Sequence, residues 1–177
     1  AAFDVNFAQT GIALNYKLNK EVTLEVGDQL NIIPSSSRNL RNRIYVRGSY
    51  QWKFSEVYKS THSIQAEWHG DNELRYDSRV ILINGISTRN RYTPLNIRPS
   101  ISYWLYYNIG GDPIQYYDEA GEAAVRQAAN GFHRGRFYFS LNSKINDHVG
   151  ISAYFMSQKE FNFLTDTYRE INVVNPN

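Results

Sequence analysis

Apolar and polar residues alternate with a period of two along most of the chain. Between Arg43 and Phe54 the apolar set is Ile44, Val46, Tyr50, Trp52 and Phe54, and the interleaved set is Arg43, Tyr45, Arg47, Ser49, Gln51 and Lys53. A strand sends successive side chains to opposite faces, so this stretch has one apolar face and one charged face. The same rhythm marks Thr10–Leu18, Val22–Ile32, Tyr58–Trp68, Ile101–Ile109, Arg136–Ile145 and Val149–Phe161. Asp28 interrupts the apolar side of the second of these. Leu74–Ile83 reads as a further strand with both faces mixed, and Asn84-Gly85 after it is a hairpin signal that either splits the region or kinks it. Pro94 and Pro99 limit where a central ladder can run. Glu119–Ala129 has the best helix composition in the chain and predicts a short helix within a long loop.

This pattern predicts an all-β protein: an up-and-down antiparallel transmembrane β-barrel of about 8–10 strands, with one short helix in a loop. Residues 1–177 read as a single β-barrel domain, lacking a strand at one or both ends. The connections near Asn19, Ser55 and Asn146 are tight, and those after Ile32, Trp68, Ile109 and Phe161 are longer. Short turns on one rim and long loops on the other are the asymmetry of outer-membrane barrels.

Composition narrows the choice. The formal net charge of +2 is too mild to argue for nucleic acid, although Arg38, Arg41, Arg43 and Arg47 with Tyr45 would make a basic-aromatic face. Mean hydropathy is −0.53 and no long apolar run occurs, which excludes a membrane-spanning helix and leaves a membrane barrel open. Aromatics reach 15%, led by 14 Tyr, and Tyr and Trp suit a lipid–water boundary. Cysteine is absent, so neither a disulfide frame nor a thiolate metal site is expected. Ala1-Ala2-Phe3-Asp4 does not read as a signal peptide, so the chain is expected to be cytosolic or already processed.

Several residues are candidates for function. Glu25, Arg43, Arg47, Glu67, Arg98, Arg136 and Lys144 fall on the polar side of their strands. Buried unpaired charges are costly, so they are expected to form a lumenal Glu/Arg network or to face water. In a barrel of this size the interior is nearly filled by side chains, which favours a plug over a cation-lined pore. Tyr16, Tyr50, Trp52, Trp68, Tyr103 and Tyr107 cluster toward strand ends as an aromatic girdle. Asp118-Glu119 reads as a solvated loop tip, with contact to a cation or a partner as the alternative. His62, His69, His133 and His148 lack zinc-ligand spacing, and no metal or cofactor is expected. Ser63 beside His62 is the one fragment of a nucleophile–base pair, but strand neighbours face opposite sides.

One resemblance bears on location. Tyr103-Trp104-Leu105-Tyr106-Tyr107-Asn108 precedes a loop with Asp118-Glu119; Arg134-Gly135-Arg136-Phe137 follows, then Ile151-Ser152-Ala153-Tyr154-Phe155-Met156-Ser157-Gln158. That order resembles the Bacteroidota outer-membrane β-barrel family catalogued as domain of unknown function 2490, most clearly over Arg98–Gln158. The resemblance implies an outer-membrane location in a Gram-negative bacterium, and no activity. Three roles stay open: a non-catalytic structural or accessory subunit of a membrane complex, in contact with outer-membrane lipid and other outer-membrane proteins; a small passive channel with a basic lumen; and a soluble lipocalin-like ligand-binding barrel.

Overall fold

A computed structural model describes residues 8–32, 40–70, 76–92, 95–111, 113–117, 120–127, 130–145 and 150–160. Its strands are β1 (Ala8–Lys17), β2 (Val22–Ile32), β3 (Leu40–Trp52), β4 (Tyr58–His69), β5 (Ser78–Thr88), β6 (Ile97–Ile109), β7 (Ile114–Tyr117), β8 (Ala123–Gln127), β9 (Gly131–Lys144) and β10 (Gly150–Glu160). Eight of them form one antiparallel sheet in the order β1-β2-β3-β4-β5-β6-β9-β10. Every neighbour along the main sheet is the next main strand in the chain, so the topology is up-and-down, and the sheet curls into a half-barrel. Among the described residues β1 and β10 pair with β2 and β9 and not with each other.

The expected strands recur with shifted ends. β1, β3, β5 and β9 end on one rim, the short-turn rim, although the β5–β6 connection there is not tight; β2, β4 and β6 end on the other. One expectation is overturned, the short helix. No helix occurs among the described residues, and Ala123–Gln127 is strand β8, paired with β7 as a small separate hairpin. Of the two alternatives at Asn84-Gly85 the split does not occur: Gly85 lies inside one long strand, β5, opposite both Thr61 and Ser102. Pro94 lies outside the described residues; Pro99 does bound a ladder, standing in β6 beyond the last paired residue of β5 with only β9 as a neighbour. Its missing N–H is harmless there.

The alternation sorts the two faces as expected. Ile44, Phe139 and Ile151 are 52%, 42% and 59% exposed on the convex side, while Arg47 and Arg136 line the concave recess. The concave side also holds the small apolar core of Ile81, Ile83 and Tyr106, with Trp104 packed against it. Burying side chains of this size contributes about 1.5–3 kcal/mol each.

Gly27 shows how closely that face is filled. Tyr45 is its direct cross-strand partner, and a Cβ on Gly27 would stand 2.5 Å from Tyr45 Cζ. The ring covers the strand where a side chain is missing, an aromatic laid over a glycine. Gly27→Val should displace Tyr45 and cost about 1–3 kcal/mol. A lowered urea midpoint with an unchanged slope would register this; an unchanged midpoint would mean that the ring moves freely.

Candidate functional site: the charged lattice of the concave face

Glu67 is the centre of the concave face and is 1% exposed. It stands directly opposite Arg79 across the β4–β5 ladder. Arg79 donates to Glu67 Oε2 from Nη2 at 2.6 Å and from Nε at 3.0 Å. His69 Nε2 lies 3.2 Å from the same oxygen, and Arg43 Nη1 lies 3.6 Å from Oε1. Gln65 also donates to Oε1. A carboxylate met by several donors retains its charge in a dry setting that would otherwise expel it.

The lattice extends along the sheet from this hub. Arg47 reaches Gln65 Oε1 at 2.6 Å through Nε and Glu25 at 3.3 Å through Nη1. Arg43 donates to Gln29, one strand further out. In the other direction the Arg79 guanidinium lies 4.9 Å from the ring centroids of both Tyr76 and Tyr106 and donates to Tyr76 Oη at 2.8 Å. Arg136 lies 5.1 Å from the Tyr106 centroid and bonds Gln158 Oε1 at 2.7 Å. Tyr106 therefore links the two guanidiniums by cation–π contact. All of these groups except Glu25 and Gln158 line a recess of about 500 Å³.

Five of the seven expected lumenal charges, Glu25, Arg43, Arg47, Glu67 and Arg136, belong to this lattice. Two do not. Arg98 sits at the short-turn mouth, where Nη2 donates to the Arg89 carbonyl at 3.0 Å. Lys144 is exposed at the end of β9 near the same rim. Both share the parity of the inward set but lie too far along their strands to reach the hub. Arg79 and Tyr106, the Glu67 partner and the aromatic bridge, were not among the expected residues. Their signal is the register itself: once β4 and β5 are paired antiparallel, Glu67 and Arg79 coincide.

Of the residues expected to form an aromatic girdle, Tyr16, Tyr50, Trp52, Trp68 and Tyr103 are exposed. Tyr107 is half-buried, with its ring 4.9 Å from that of Phe132. Asp118 and Glu119 lie outside the described residues, as does His148. His62 and Ser63 point to opposite faces: His62 bonds Asn84 and Ser60, while Ser63 donates to Ser49 at 2.8 Å. No group of three metal-ligating side chains occurs among the described residues. Comparisons with protein-family models, with curated proteins and with solved structures find no match.

Proposed function

We propose that this chain is a non-catalytic outer-membrane β-barrel whose ion-paired interior acts as a plug, serving as a structural or accessory subunit of a membrane complex. The observation that carries the reading is its sidedness. Ionised groups gather on the concave face, paired around Glu67, and large apolar side chains stand exposed along the convex face, with Asp28 and His62 as exposed polar residues among them. In water such a surface would be a liability, since contiguous apolar patches drive association. Against lipid it is the required surface. The main-sheet strands run from 10 to 14 residues, and a tilted strand needs about 9–11 to cross a bilayer. The residue order that resembles the Bacteroidota family adds to the same reading. A lipocalin-like barrel needs the opposite arrangement, with the apolar set facing the ligand.

Reconstitution separates the roles. The protein is expected to require detergent or lipid and to give no stable conductance steps in a planar bilayer. Stable steps with anion preference would replace the plug by a channel. A monomer that persists in buffer without detergent would overturn the membrane reading.

A further inference from the structure

We infer that the short-turn mouth of the concave face is a binding site for a phosphate-type oxyanion, built from Lys59, Arg91 and Arg98. These three cations line an open recess of about 440 Å³, separate from the Glu67 lattice, with Ile83 and Trp104 forming its apolar wall. Among the described residues no carboxylate lines it, and none of the three makes an ion pair. The contrast with the lattice is physical: there each arginine has acidic, amide or aromatic partners, and here like charges converge with no counter-charge.

The two arginines are also held in place. Arg91 Nη1 donates to the Asn96 carbonyl at 2.9 Å and the Asn142 carbonyl at 3.1 Å. Arg98 Nη2 is tied to the Arg89 carbonyl, and Arg98 Nε is buried without a hydrogen-bond partner among the described residues. The connection that carries Arg91 is itself strapped down. Tyr92 and Ile97 exchange backbone hydrogen bonds at 2.8 Å, Asn96 Nδ2 reaches the Lys144 carbonyl at 3.0 Å, and Asn96 adopts φ 52° to do so. Each guanidinium is thus anchored by one nitrogen and keeps further N–H donors for a ligand. Two forks and an ammonium suit an oxyanion with several acceptor oxygens. Thr61, Ser100 and Asn142 supply neutral hydrogen-bonding groups around the same recess.

The test is titration of inorganic phosphate into the full chain folded in detergent micelles, at constant ionic strength. Saturable binding is expected. Arg98→Gln and Lys59→Gln should each weaken it about tenfold. The Lys59 side chain makes no hydrogen bond among the described residues, so its variant tests the charge without risk to the fold. Lys20→Gln, an exposed cation in the first turn, should leave binding unchanged. No saturable binding, or equal weakening by Lys20→Gln, overturns the proposal. Repeating the titration in nanodiscs of phosphatidylcholine and of phosphatidylglycerol identifies the source. Lower apparent phosphate affinity in phosphatidylglycerol points to a lipid headgroup as the occupant, and equal affinity points to a free phosphorylated solute.

Discussion

Glu67→Ala is expected to cost about 3–5 kcal/mol of folding stability, the range for removing one partner of a buried ion pair. The loss of contacts is the smaller part of that cost. Arg79 is only 5% exposed, and without Glu67 its guanidinium keeps Tyr76 and the two aromatic faces but no carboxylate. Arg43 suffers less, because its side chain is 20% exposed and can hydrate. Glu67→Gln should fall between, since an amide oxygen still accepts from Arg79 while the attraction of opposite charges is gone. The decisive comparison is the double variant Glu67→Leu with Arg79→Met. Replacing a buried pair by apolar groups of similar volume is often neutral, so this variant should recover most of what Glu67→Ala loses. Urea unfolding followed by tryptophan fluorescence reads all four proteins. A double variant less stable than Glu67→Ala would show that the cost does not come from a stranded arginine, and the lattice would lose its place as the organiser of the concave face.

How much of this was readable beforehand follows from where local preference and tertiary context agree. They agree in β3 and β4, where one face meets charges and the other does not, and there the alternation gave both strands and both faces. They disagree in β5. Its inward residues include Ile81 and Ile83, because the concave face is filled there rather than open, so both faces are apolar and Arg79 loses its contrast. Asn84-Gly85 is a strong turn signal in isolation, but β4 and β6 pair with β5 on both sides, and breaking two ladders outweighs a local preference. The alanine-rich stretch failed differently. A helix that short is marginal without a packing partner, and among the described residues the β7–β8 hairpin touches no other strand. Tyr116 and Tyr117 favour a strand, and Gly121 at φ 82° suits the bend between β7 and β8. The short-turn recess was beyond sequence reasoning because it joins Lys59 to Arg91 and Arg98, which no periodicity connects.

Ile64→Arg should separate a bilayer from water more sharply than any inward substitution. Ile64 lies midway along β4, is 60% exposed on the convex face, and is flanked across the sheet by Gly48 and Leu82. On a water-facing surface such a change is usually within about 0.5 kcal/mol. Facing hydrocarbon near the bilayer midplane it costs about 2–4 kcal/mol, falling to about 0–1 near the interfaces. Ile145, just past the end of β9 at the short-turn rim and 58% exposed, is the matched control. The expected result in phospholipid vesicles is a large destabilisation and a reduced folded yield for Ile64→Arg, with Ile145→Arg close to the parent. The difference should vanish for any fraction of protein folded without lipid. Two substitutions equally silent in vesicles would mean that the convex face never meets hydrocarbon, and the exposed apolar belt would then need a protein partner to cover it.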